Sequence, residues 1–319
     1  MNERNLTRRQ ALAQTGAIAG IALALQSPSA ARAENPTSKP AVAPFRFCLN
    51  TATIRGQKIG ITREIEVASK AGYDGIEPWV DAVQEFVKNG GTPKELRQRI
   101  ADAGLTVEGA IGFPDWIVDD DARRAKGVER AKHEMDLMAQ IGARRYALPP
   151  AGATDLPKLD LFKAAERYRV LLEAGDSIGI VPELELWGFS KNLSRLSECV
   201  LVAIETGHPK ACVLADIFHL YKGGSDFHAM GMLAGDMLQV FHMNDLPTDI
   251  PREKLDDSLR VFPGDGSVPV PEVLRVLRKT GGQKVLSLEL FNRKHWQEDP
   301  LEVAKAGLAK MKAVAEKSA

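Results

Sequence analysis

The sequence predicts an α/β protein folded as one (β/α)8 TIM barrel, and three observations predict it. From residue 45 onward, short apolar runs alternate eight times with longer amphipathic stretches, the order of a parallel sheet wrapped by helices. Glycine recurs just past the helical stretches, at Gly72, Gly104, Gly142, Gly179 and Gly281, where a left-handed residue commonly ends a helix. The length of 319 residues suits one such barrel. An open doubly wound sheet is the alternative. It would carry a glycine-rich phosphate loop after the first strand, and Asn50-Thr51-Ala52-Thr53 is no such loop.

The elements follow in chain order. Arg8 and Arg9 precede an uncharged stretch, 11–25, and Ala31-Arg32-Ala33 offers small residues where a signal peptidase reads. A charged start, a short apolar middle and an A-x-A end make residues 1–33 a secretory signal of the twin-arginine (Tat) type. Its expected partner is the Tat export machinery, and its expected destination is the periplasm or the exterior. Fifteen uncharged residues are short for a membrane span, so no stable membrane anchor is expected. Residues 34–44 carry three prolines and no periodicity, and read as a flexible leader. The barrel occupies 45–319. Its strands are expected at 45–49, 75–78, 106–111, 145–148, 182–186, 212–215, 238–241 and 284–288. Helical patterns are clearest at 63–71, 93–103, 122–141, 161–178, 193–206 and 270–280.

Composition excludes several classes. Lysine plus arginine and aspartate plus glutamate each number 42, so no basic excess points to nucleic acid. Charged residues at 26% and hydrophobic residues at 44% describe a soluble globular mixture. The cysteines, Cys48, Cys199 and Cys212, are too few and scattered for a disulfide framework or a zinc ribbon. They read as reduced core residues, with a Cys199–Cys212 pair as the alternative.

Barrel active sites form at the C-terminal ends of the strands. The last four expected strands each bring a metal-capable side chain to that end: Glu185, Asp216, His242 and Glu289. A carboxylate in an apolar strand is costly to bury unless it is paired or bound to metal. Four such residues at corresponding places predict one divalent ion. Three carboxylates and an imidazole suit Mn²⁺, Mg²⁺ or Co²⁺, with Zn²⁺ also open.

These residues, with the runs Asp216-Ile217-Phe218-His219 and His242-Met243-Asn244-Asp245 and with Arg260 before Pro263-Gly264-Asp265-Gly266, resemble the xylose isomerase-like sugar isomerases and epimerases. The resemblance implies that Glu185 and Glu289 also serve as acid and base, and that His219 and Arg260 contact the substrate. It implies a sugar or keto-sugar isomerase or epimerase working through an enediolate. Residues 246–259 make a longer connection before Arg260 than the family pattern has.

Two other functions stay open: a 3-keto-glycoside lyase that uses the same metal site for β-elimination, and a sugar-binding barrel without turnover. A related DNA-repair endonuclease would need a three-zinc cluster with early histidines, and none precedes His133. A homo-oligomer also stays open. Less functional readings accompany several residues. Glu183 reads as a barrel-bottom carboxylate paired with a cation. His219 reads alternatively as a helix cap, and Arg260 as a surface partner of Asp256 and Asp257. Trp187 and Trp116 are candidates for the mouth, and Glu77 for the pocket. His133, His208, His228 and His295 belong to no constellation and read as surface residues.

Overall fold

The computed structural model describes residues 43–319. The signal segment 1–33 and all but the last two residues of the 34–44 leader lie outside the described residues. Strand β1 (Phe45–Asn50) leads through a 3-10 turn (Thr51–Gln57) to α1 (Ile61–Ala71), followed by β2 (Gly75–Glu77), α2 (Val80–Lys88), α3 (Pro93–Asp102) and β3 (Thr106–Val107). Then come α4 (Asp121–Gln140), β4 (Arg145–Leu148), α5 (Leu161–Ile178), β5 (Val181–Glu185), α6 (Leu196–Glu205), β6 (Val213–Asp216) and α7 (Ile217–Lys222). The chain finishes with β7 (Val240–Met243), α8 (Val270–Lys279), β8 (Lys284–Leu288) and α9 (Pro300–Glu316). The eight strands are hydrogen-bonded in the order β3-β2-β1-β8-β7-β6-β5-β4, and each ladder is parallel. Between β3 and β4 the ring is joined by single bridges, Trp79 to Ile111 and Ile111 to Ala147. The expected third strand, 106–111, is therefore regular only at its first two residues.

Local chemistry fixes the helices. Thr92 caps α3 by accepting from the Glu95 N–H, with Pro93 in the first turn. Asp120, Asp160 and Asp299 cap α4, α5 and α9 in the same way. All five glycines expected to follow helices have positive φ. The three cysteines are buried and unpaired. Among the described residues no helix is long and apolar enough to cross a membrane.

Strand alternation divides the side chains into two sets. Leu49, Ile76, Leu148, Leu184, Phe241 and Leu288 belong to the large core that includes the helices' apolar faces. Ile111, Ala147, Leu214 and Val240 form a second, small apolar cluster. On the same strand faces as Leu214 and Val240, two residues further on, stand Asp216 and His242. The seventh strand begins later than the expected 238–241, because a 3-10 turn (Gly235–Met237) occupies the chain before it. His242 is thus held within a hydrogen-bonded strand, paired in register with Asp216 on one side and Ser287 on the other.

Candidate metal centre and active site

Glu185, Asp216, His242 and Glu289 are each no more than 3% exposed. Glu289 follows β8 directly, and its N–H donates to the Met243 carbonyl at 3.1 Å, which keeps it in line with β7. Glu185, His242 and Glu289 each offer a ligand atom within 4.8 Å of the others. His242 Nδ1 lies 3.1 Å from Glu289 Oε2.

The opposite nitrogen explains why Nδ1 faces the cluster. His242 Nε2 lies 3.0 Å from Glu77 Oε2, which also accepts from Ser287 Oγ at 2.7 Å and from Asn50 Nδ2 at 3.0 Å. A carboxylate accepting from Nε2–H fixes the imidazole so that Nδ1 points at the ligand position. Two buried atoms in the cluster, His242 Nδ1 and Glu185 Oε2, make no directed hydrogen bond among the described residues, Nδ1 having only the charge of Glu289 beside it. Each such vacancy costs about 1–3 kcal/mol. One divalent cation satisfies both, and the oxygen-rich donor set suits it. Burial, and then the charge of Glu289, raise the Glu185 pKa well above the ordinary carboxylate range. Burial opposes a charge on His242, but Glu289 and Glu77 outweigh it and push that pKa well up. A proton and a metal ion therefore compete for Nδ1.

Asp216 stands beside this trio. Its Oδ2 is 3.7 Å from His242 Nδ1 and accepts from Arg260 Nη1 at 2.8 Å. Asn244 Nδ2 donates to both of its oxygens, at 3.1 and 3.2 Å, and its Oδ1 caps α7 by accepting from the His219 N–H. Burial works against its charge, yet Arg260, His219 and His242 hold the Asp216 pKa down at about 2.

Arg260 is 1% exposed and is far from a surface arginine. Its Nη1 bridges Asp216 and Glu289 at 2.8 Å each, and its Nη2 donates to Asp257 and to His219 Nε2. Asp256, the other expected surface partner, caps a 3-10 turn instead. His219 does not cap α7, since Asp216 does that. Burial lowers the His219 pKa, which favours a neutral ring. Residues 246–259 carry Asp257 to Arg260. The base of this segment is tied by the Asp245–Val261 bridge, and Lys222 Nζ donates to the Arg252, Glu253 and Leu255 carbonyls. The Asp245 carboxylate accepts from the N–H groups of Leu246, Gly264, Gly266 and Val268, and a Cβ at Gly266 would lie 2.1 Å from the Leu246 carbonyl oxygen.

Above the cluster opens a cavity of about 180 Å³ that reaches Glu185, His219, Asp257, Arg260 and Glu289. An arc of aromatic rings forms its wall. Phe291 meets Trp79 at 5.9 Å, Trp79 meets Phe113 at 5.0 Å, Phe113 meets Trp187 at 5.9 Å and Trp187 meets Phe189 at 5.2 Å between centroids. Trp187 lines the mouth as the sequence suggested. Trp116 does not; it is buried against Tyr168, its Nε1 donating to the Pro149 carbonyl. Glu183 lies two residues down β5 with Arg145 Nη1 at 4.0 Å, as expected of a carboxylate deeper in the barrel. Among the remaining histidines, His295 is stacked on Phe262 rather than free at the surface.

The sequence placed Glu77 only as a candidate for the pocket and Asp257 only as a surface partner of Arg260, and it gave Asn50 and Ser287 no role in the site. The signal for Asn50 and Glu77 was available: polar residues closing the first two strands, where Trp79 Nε1 also donates to Asn50 Oδ1.

Fold and site together describe a closed α/β barrel with a buried carboxylate–histidine cluster where its strands end. The chain belongs to the xylose isomerase-like TIM barrel family, whose model matches residues 65–314. It is 25% identical to a 3-dehydroshikimate dehydratase of Pseudomonas putida over 73% of this chain, but spans only 36% of that protein. It is 23% identical to an inosose isomerase of Bacillus velezensis, covering 82% of this chain and 95% of the relative. A crystal structure of the IolI protein with a bound zinc atom superposes with a TM-score of 0.79 at 20% identity, over 86% of this chain and 99% of that one.

Proposed function

We propose that the chain is a divalent-metal-dependent isomerase or epimerase of a sugar or keto-sugar, acting by proton transfer at a carbon beside a carbonyl. One observation carries this reading: Glu185, His242 and Glu289 converge, with two buried ligand atoms that make no directed hydrogen bond among the described residues, beneath an aromatic-walled cavity. These three, with Asp216 as the fourth, would hold the ion, Mn²⁺ ahead of Mg²⁺, Co²⁺ or Zn²⁺. A bound divalent ion acidifies the C–H between a carbonyl and a hydroxyl and stabilises the charge that develops there.

The chain's own groups do the rest. Asn50 Nδ2 and Arg260 Nη1 donate to the two oxygens of Glu289 and fix the direction in which it meets a substrate proton. Glu185 borders the same cavity as Glu289 and is placed to return a proton to the enediolate. His219 and Arg260 border the cavity and orient substrate oxygens. The rings of Trp79, Phe113 and Trp187 suit the C–H faces of a cyclic substrate. Among the described residues Arg260 is the one cation bordering the cavity, and it is already engaged by three carboxylates, so an uncharged sugar ring or cyclitol fits better than a phosphorylated one. The inosose isomerase relative supports this direction.

The dehydratase relative favours a second outcome of the same first step, in which the enediolate expels a neighbouring group. Metal analysis of the purified protein, followed by deuterium wash-in over ketoses and 3-keto-glycosides, tests both. Exchange with isomer formation supports the first reading, and aglycone release the second. Failure to retain any divalent ion, together with no exchange on any of these compounds, refutes both. The intact pair Glu185 and Glu289 speaks against a barrel that only binds sugar. We further propose that Arg8 and Arg9 direct export through the Tat route to the periplasm.

A further inference from the structure

A second cavity lies on the other side of Trp79. It measures about 490 Å³, more than twice the cavity above the cluster, and is bounded by the 3-10 turn after β1, the start of α1 and the helix α2. Trp79 borders both cavities. The outer one contains a group that the fold leaves unanswered. Glu64 is 4% exposed, and its Oε2 is fully covered with no hydrogen-bond partner among the described residues. An apolar side chain would fill that place at lower cost if packing were its whole purpose, since an unpartnered buried carboxyl loses its hydration without return.

The charges around Glu64 define what it can receive. Arg55, Lys58, Asp81 and Glu85 line the cavity with it. Arg55 is already committed to Asp81 at 2.9 Å and to the Trp79 ring at 4.0 Å. Two cations stand with the carboxylates of Asp81 and Glu85, and Glu64 adds a third acidic group, so the cavity has no positive excess that would draw an anion. Phe86 and Ile59 supply apolar wall, and the volume falls within the range of sites for small organic ligands.

We propose that this outer cavity is a second sugar-binding site, in which an uncharged polyhydroxylated ring donates a hydroxyl to Glu64 and lays a C–H face against Phe86. Two sources share that chemistry: a free sugar, or the remote ring of a glycoside whose other ring occupies the metal centre. The second source rests on the function proposed above; the cavity's own chemistry does not.

The test is isothermal titration of the full chain loaded with Mn²⁺, using glucose, cellobiose and glucose 6-phosphate. Glucose should bind saturably. Glu64→Leu and the cavity-filling Ala82→Trp should each weaken it at least tenfold, and Asp216→Asn should change it less than twofold. Equal affinity for glucose and cellobiose assigns a free sugar. A tenfold preference for cellobiose that Asp216→Asn removes assigns one molecule reaching both cavities. The proposal is overturned if folded Glu64→Leu and Ala82→Trp proteins bind glucose within twofold of the parent, if the parent binds none, or if glucose 6-phosphate binds as tightly as glucose. Glucose binding that depends on Glu64 in a protein with no exchange activity would keep this site and sink the proposed function. Exchange activity with no such binding would do the reverse.

Discussion

Glu77 never reaches the ligand position, yet replacing it should weaken metal binding. Its Oε2 takes three hydrogen bonds, from Asn50, Ser287 and His242 Nε2. Glu77→Gln keeps the shape and lets the amide oxygen accept the same donors, so the fold should survive. What changes is the bond to His242, which goes from charge-assisted to neutral. A hydrogen bond to a charged group contributes about 1.5–3 kcal/mol and a neutral one about 0.5–1.5. The difference, about 1 to 1.5 kcal/mol, is roughly a tenfold loss of affinity, at the lower edge of the 10–100-fold range known for such supporting partners. The same substitution also weakens the competing proton on Nδ1, so the comparison belongs at a pH high enough that neither protein's affinity rises further. Chelator competition with Mn²⁺ gives the affinities, and thermal melting of the metal-free proteins confirms that both are folded. A folded Glu77→Gln protein that binds Mn²⁺ within twofold of the parent would refute the argument that Glu77 sets the His242 ligand face.

Three further outcomes are expected. Glu289→Gln should lower turnover at least roughly 10²-fold, the usual scale for losing a general acid or base, and should abolish deuterium wash-in; full turnover would remove Glu289 from proton transfer. Burial lifts the Glu64 pKa to about 7 from an ordinary value of 4.5, so the folded state holds that proton more tightly than the unfolded chain. The stability it confers is fully present below pH 4.5 and is lost as pH rises towards 7, a drop of roughly 3 kcal/mol that Glu64→Gln should erase from denaturant curves taken at the two ends. Identical pH dependence in parent and variant would count against a buried, unpartnered Glu64. Changing Arg8 and Arg9 together to lysine should hold the precursor in the cytoplasm, as fractionation would show, and undiminished export would refute the twin-arginine reading.

Much of this molecule is written in local pattern. Once the short apolar runs are read as strands, successive side chains must point to opposite faces, so local pattern is enough to say which side chains of 182–186, 212–216 and 238–242 share a face, and with them the places of Glu185, Asp216 and His242. Helix caps are equally local: Thr92, Asp120, Asp160 and the glycines after helices act on backbone groups a few residues away. The limits of the irregular third strand and of the seventh strand escaped, because bridges and 3-10 turns have no such period.

Tertiary structure alone decided how the metal-capable residues share their partners. Asn50 meets Glu289 across 239 positions, Ser287 meets Glu77 across 210 and His242 meets Glu77 across 165. These contacts exist only because β1 pairs with β8 and closes the ring, and no window along the chain contains both partners. The same closure buries Arg260 between Asp216 and Glu289. A guanidinium that sequence alone leaves free to stay in water is held there because neighbouring carboxylates, sealed from solvent, stabilise its charge more than burial penalises it.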